Sequence, residues 1–328
     1  MERTQPGRLK DRRGRPTSWC LATALVLLGL SLPGCALVWK PEGTPALTSL
    51  EWLRTMRSED GVKRGDLAEA AFSEARGRSG YWSPRKFLDE LGADIYGPGE
   101  YDPTKTPILF VHGAAGSPQD WRYFVAHLDR SHYQPWFFYY PSGAPVSDMS
   151  ELLYRRLLEI QQRYHPRRLY ITAHSLGGLV VRSMLGEHGE SLPWVKLFIS
   201  ISTPWGGESL ARMGVRLSPV VVPSWNDLCP HGRFLKTLFA KPLPPGIDYY
   251  LLFSHHGGHG IVRPNNDGAV TLASQLRPEA QAEAKRIFGF DESHTGILSS
   301  QEVLDQYNDL LRAADEGAAP GSQDSAAR

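Results

Sequence analysis

The sequence predicts an α/β fold, a mostly parallel sheet with helices on both faces, and three observations carry that expectation. Five predominantly apolar runs, at 107–111, 135–140, 169–172, 195–200 and 248–253, are short and bounded by turn-forming residues. Strands that are apolar throughout are buried on both faces, which is the habit of parallel sheets. Helix-forming stretches alternate with them, most clearly at 148–164, where Met149, Leu153, Leu157, Ile160 and Tyr164 recur at three- and four-residue spacing. Segments of small residues follow three of the runs, and the carboxyl ends of strands are where such sheets bind ligands.

Taken in order, the chain opens on a segment that reads as a targeting signal. Residues 1–34 carry six Lys/Arg and two acids, and an apolar run at 19–32 ends in Pro33-Gly34-Cys35. Basic, apolar, then small residues is the order of a secretory signal. The stretch Leu32-Pro33-Gly34-Cys35 resembles the cleavage box of bacterial lipoproteins. That resemblance implies a signal peptide at 1–34, lipid attachment at Cys35, and an exported protein anchored in a bacterial outer membrane or cell surface. The alternative is an uncleaved anchor helix over 19–39, which Pro33-Gly34 disfavours.

Residues 35–50, rich in Pro, Gly and Thr, read as a tether. Residues 51–106 read as a helical extension packed on the body, with Leu53 and Met56, then Leu67, Ala70 and Phe72, then Phe87, Leu88 and Leu91 at helical spacing. The body is expected over 107–313. Within it 118–128 reads as a helix, and Ser147 as the cap of the helix at 148–164. Residues 206–246 break the alternation with apolar clusters and many prolines, and their place above the rim suits a cap or lid. A helix is expected at 299–311, and an Ala/Gly/Ser-rich disordered tail over 314–328.

The formal charge of +1 includes the basic signal; beyond residue 34 the count is 30 basic against 33 acidic residues, which argues against nucleic acid as a partner. Of three cysteines, Cys20 and Cys35 belong to the signal region, so Cys229 is left without a disulfide partner.

The chemistry concentrates at 169–185. A short apolar strand runs straight into helix formers with Ala173-His174-Ser175-Leu176-Gly177-Gly178 between them. That is a strand, a sharp turn and a helix, with Ser175 at the apex in a strained conformation. Gly177 fits the G-x-S-x-G form of this elbow, and Ala173 replaces its first glycine. The Leu176 N–H falls at a helix N-terminus, where an anion is stabilised. A serine needs a base, and the base needs an orienting acid. Asp267, in Asn266-Asp267-Gly268-Ala269-Val270, and His294 follow Ser175 in the order such an elbow enzyme uses. Asp227, Asp248 and Asp291 compete for the acid, and His255, His256 and His259 for the base.

These motifs together resemble the α/β-hydrolase superfamily, and within it bacterial lipases and related lipid-ester deacylases. The matching pieces are His112-Gly113, His174-Ser175-Leu176-Gly177-Gly178, Thr203-Pro204-Trp205-Gly206-Gly207, Asn266-Asp267-Gly268-Ala269-Val270 and His294, spread over about 107–311. The resemblance implies an α/β-hydrolase fold and a serine esterase or lipase needing no cofactor and no metal. It implies Ser175 as nucleophile, His294 as general base then acid, and Asp267 as orienting acid. It also implies an oxyanion hole from the N–H groups of Leu176 and Ala114, with Ala115 competing for the latter place. The substrate would be an acyl ester or lipid. An acyltransferase, an amidase, or a non-catalytic binding lipoprotein on the same scaffold are the alternatives.

Overall fold

The computed structural model describes residues 61–257 and 265–317. The signal, Cys35, the tether, Leu53, Met56, His259 and the tail beyond residue 317 lie outside the described residues.

Eight strands form one sheet in the order β1-β2-β4-β3-β5-β6-β7-β8. They are β1 (Lys63–Arg64), β2 (Asp94–Gly97), β3 (Thr106–Val111), β4 (Tyr133–Tyr139), β5 (Leu169–His174), β6 (Val195–Ile201), β7 (Asp248–Ser254) and β8 (Arg286–Phe290). Every pair from β4 to β8 runs parallel, and β2 lies antiparallel to β4. The helices are α1 (Glu74–Trp82), α2 (Pro84–Glu90), α3 (Arg122–Ala126), α4 (Val146–Tyr164), α5 (Leu176–His188), α6 (Ser209–Leu217), α7 (Ser224–Leu228), α8 (Arg233–Thr237), α9 (Leu272–Gln275), α10 (Pro278–Glu283) and α11 (Gln301–Gly317). This is the α/β-hydrolase fold.

Strand periodicity divides the core in two. Leu109, Val111, Ile171 and Phe198 face one layer, which holds Leu153, Leu157, Val181 and Leu185 of α4 and α5. Their neighbours Ile108, Phe110, Tyr170 and Ile199 face the other, with Val303, Tyr307 and Leu311 of α11. Both faces are covered, which is why the strands carry no alternation of apolar and polar residues.

Four expectations need correction. Residues 51–106 are not helical throughout, since β1 and β2 extend the sheet beyond β4. Their signal was hidden because β2 buries an acid: Asp94 lies 3.0 Å from Lys63 Nζ and 3.3 Å from Arg156 Nε. The last strand, β8, was missed because Arg286, Ile287 and Gly289 stand exposed and make no apolar run. Helix α4 starts at Val146 rather than after Ser147, and the Val146 N–H is satisfied from a distance by Asp227 Oδ2 of α7, 2.7 Å away. Helix α11 continues to Gly317, into the expected tail, because Asp315 accepts hydrogen bonds from Tyr133, Tyr170 and Arg168 beneath the sheet.

Residues 206–246 hold three short helices, α6 to α8, and no strand. Two arginines of the body fasten the segment. Arg277 Nη1 donates to the carbonyls of Trp205 and Leu235, at 3.2 and 2.9 Å, and Arg182 Nη2 donates to that of Lys241 at 2.7 Å. Both guanidinium groups also lie over the Phe239 ring, 5.1 and 4.9 Å from its centre.

Arg182 of α5 is fully buried and forms a two-pronged pair with Glu283 of α10, at 2.8 and 2.6 Å. Arg182→Met leaves that carboxylate without its counter-charge, and the expected loss is about 3–5 kcal/mol in urea unfolding. An unchanged midpoint and slope would show that the pair adds nothing to the fold.

Candidate active site

Strand β5 delivers the chain to a turn at which Ser175 takes φ 52° and ψ −125°, in the sparsely populated left-handed region. Three contacts hold it there. The Ser175 N–H donates to the Ile201 carbonyl of β6 at 2.8 Å, and the Gly178 N–H donates back to the Ser175 carbonyl at 2.9 Å. A Cβ on Gly177 would stand 2.6 Å from the carbonyl oxygens of Val111 and His112, so the first turn of α5 rests directly on the end of β3. The need for a small residue at 177 therefore comes from β3, a strand remote in sequence, as well as from the turn itself. Gly113 meets the other side of the serine, since a Cβ there would lie 2.9 Å from Ser175 Cβ.

The three residues read from the sequence meet at this turn. His294 Nδ1 lies 2.7 Å from Asp267 Oδ2, and His294 Nε2 lies 2.9 Å from Ser175 Oγ. With Nδ1–H donating to the carboxylate, Nε2 is left as the acceptor of the serine proton. Burial works against the charged form of Asp267, but hydrogen bonds from His294, Ser254 and the Val270 N–H outweigh it and hold the carboxyl below its ordinary range. The rival residues lie elsewhere. Asp227 caps α4, Asp248 pairs with Lys285 at 2.9 Å, and His255 and His256 pair with Asp291 on the surface.

In the loop after β3 one of the two candidate backbone donors is already engaged. The Ala115 N–H is engaged with Ser142 Oγ at 2.9 Å. That leaves Ala114, beside Leu176, as the candidate second donor. His112 Nδ1–H donates to the Gly113 carbonyl at 2.9 Å, and His174 Nε2–H donates to the His294 carbonyl at 2.8 Å. Burial pushes His112 down to about 4. Burial, then the neighbouring His294, push His174 down to about 3. Both rings are neutral braces. Trp205 is buried against Phe239 and Tyr249.

Two supporting residues escaped the sequence reading. Ser254, the last residue of β7, donates from Oγ to Asp267 Oδ2 at 2.7 Å and accepts from Ser202 Oγ at 2.6 Å. Gln275 of α9 donates to the same Oδ2 at 3.1 Å and to the Ser254 carbonyl at 3.0 Å, while its Oε1 accepts the Ser254 N–H. A polar residue closing an apolar strand was the sole sequence signal for Ser254, and Gln275 had none. Among the described residues no group of three His, Cys, Asp or Glu side chains is placed to hold a metal ion.

Comparison with known proteins fits this geometry. The family described as "Putative serine esterase (DUF676)" matches residues 104–251, a stretch that contains Ser175 and ends before Asp267 and His294. No curated protein matches the chain. Among solved structures, the mature form of Bacillus licheniformis lipase BlEst2 is similar at 23% identity and a TM-score of 0.52, over 67% of this chain and 97% of that one. Its propeptide form is similar at 22% and 0.53, over 65% of this chain and 51% of that one. Aspergillus fumigatus lipase B is similar at 17% and 0.50, over 66% and 55%. This chain spans about half the length of the last two. At these identities the likeness is one of fold.

One acid near the site stands apart. Glu208, at the root of the 206–246 segment, has a buried Oε1 with no hydrogen-bond partner. Burial, then the charge of Asp267, push its carboxyl up to about 8. A folded state that favours the protonated acid loses stability as pH rises from the ordinary glutamate range through about 8. The melting temperature of the wild type should therefore fall more steeply between about pH 5 and pH 9 than that of Glu208→Gln. Parallel slopes would refute the assignment.

Proposed function

We propose that this protein is a serine hydrolase that cleaves carboxylic esters, acyl or lipid esters above all, through an acyl-enzyme. The observation that carries the reading is the unbroken relay from Asp267 Oδ2 through His294 to Ser175 Oγ, with both contacts under 3 Å, on a backbone turn held at positive φ. Ser175 Oγ attacks the ester carbonyl as its proton passes to His294 Nε2. The charge that develops on the carbonyl oxygen rests on the N–H groups of Leu176 and Ala114. His294 then gives its proton to the departing alcohol and takes one from the water that releases the acyl group. Asp267 stays ionised and steadies the imidazolium between these steps. The serine esterase description of the matching family supports the choice of esters.

Fluorophosphonate should label the wild-type protein at Ser175. Ser175→Ala should remove the label and lower kcat on a p-nitrophenyl ester panel by about 10⁴-fold or more. Labelling that persists in the variant overturns the assignment, and faster turnover of amides, or transfer to an added alcohol in preference to water, redirects it to an amidase or acyltransferase.

We also propose that the enzyme acts as an exported lipoprotein held to a bacterial membrane through Cys35. The support is the order basic, apolar, Leu32-Pro33-Gly34-Cys35. Mass spectrometry should find a mature chain that starts at an acylated Cys35, and Cys35→Ser should release it from lipid modification. A mature N-terminus elsewhere refutes the cleavage box.

A further inference from the structure

Seven large apolar side chains stand exposed among the described residues. Five of them, Leu210, Met213, Leu217, Val220 and Val221, fall within one twelve-residue stretch on α6 and the turn after it. Packing normally consumes the apolar arc of a helix, and here it does not. Ala211 is buried against the body, and Gly214 lies on the Trp225 ring. Leu210, Met213 and Leu217, three and four residues apart, form a second apolar strip on the solvent side. Leu217 and Val220 are 69% and 65% exposed. Arg212 and Arg216 come next around the helix, and α6 carries no acid. The surface continues past the helix. Trp82 of α1, itself 55% exposed, stands edge-on to Trp225 at 6.0 Å, and Trp225 Nε1 donates to Tyr81 Oη at 2.6 Å.

We infer that this face docks on an anionic lipid surface. The apolar strip enters the acyl boundary, and the Trp82 ring sits at headgroup depth, where amphipathic aromatics are favoured. The stems of Arg212 and Arg216 lie along the strip while their guanidinium groups reach anionic headgroups. A second copy is a poorer occupant, because a two-fold contact would set the arginines of α6 against their own counterparts with no acid on the helix to receive them. The 27 residues from Cys35 to Gly61 reach at most roughly 90 Å, so an anchor at Cys35 would keep the face within range of the bilayer. Docking requires no opening, since Arg277 and Arg182 fasten the segment at Trp205, Leu235 and Lys241. The inference deepens the ester-hydrolase reading by naming a lipid surface as the carrier of the substrate, and rests on that reading for its kinetic test alone.

The binding test uses the full chain carrying Ser175→Ala, with vesicles of brominated phosphatidylglycerol or brominated phosphatidylcholine. Tryptophan quenching compared with and without Trp82→Phe isolates the share of Trp82, independently of the N-terminal anchor. Quenching of that share is expected on phosphatidylglycerol, with loss in Arg212→Gln/Arg216→Gln. No quenching assignable to Trp82 overturns the proposal, whatever the protein hydrolyses. In the kinetic test, Leu210→Ser/Met213→Ser/Leu217→Ser should lower hydrolysis of a long-chain ester carried in phosphatidylglycerol vesicles about tenfold and leave soluble p-nitrophenyl butyrate unchanged. Equal losses on both esters, or a wild-type dimer that this variant dissolves, would assign the face to internal packing or to a second copy and overturn the proposal.

Discussion

The site hangs on one constrained residue. A serine at positive φ costs about 1–3 kcal/mol, and such strain survives only where the surroundings over-determine it. Here the surroundings are the sheet itself. Val111 pairs with Ala173 and Ala173 with Ser200, which fixes the height at which β5 ends relative to β3 and β6. That height puts Gly177 on the last carbonyls of β3 and brings the Ser175 N–H to Ile201. A slip of one residue in either pairing would reverse the faces of β5 and leave the turn without its seats.

Around the turn, charge is confined to few places. Asp267 is fully buried, and its two oxygens accept from His294, Ser254, Gln275 and the N–H groups of Ala269 and Val270. An ion so provided for tolerates burial that would neutralise a bare carboxylate. Glu208 is the contrast. It has no such donors and shares the neighbourhood of Asp267, so it keeps its proton. Burial lowers the affinity of His112 and His174 for protons, which removes two competitors for the charge that His294 would carry.

What the sequence disclosed followed from how local each cause was. The elbow is written in consecutive residues, and the five apolar runs each correspond to a strand. The relay of Ser175, Asp267 and His294 was legible through motif order and the resemblance those motifs carry, which set Asp267 and His294 above three rival acids and three rival histidines. Elements whose causes lie far away were not. Strand β2 depends on Arg156 and Lys63 to bury Asp94, and β8 depends on β7 for pairing while three of its five residues are exposed. Gln275 carried no signal, because nothing nearby in sequence reveals that its amide spans Ser254 and Asp267. The engagement of the Ala115 N–H likewise depends on Ser142, a residue 27 positions away.

The cap of α4 has a consequence for modularity. A segment inserted between two strands, as 206–246 is between β6 and β7, can look like an interchangeable part. Here the inserted segment reaches back into the body: Asp227 satisfies the first turn of α4, the Ser224 N–H donates to Gly143, and Trp225 holds Tyr81. Replacing residues 206–246 by a foreign segment would therefore remove a keystone of the body. A successful chimaera would have to bring its own carboxylate to Val146, so that segment and framework have to be exchanged together.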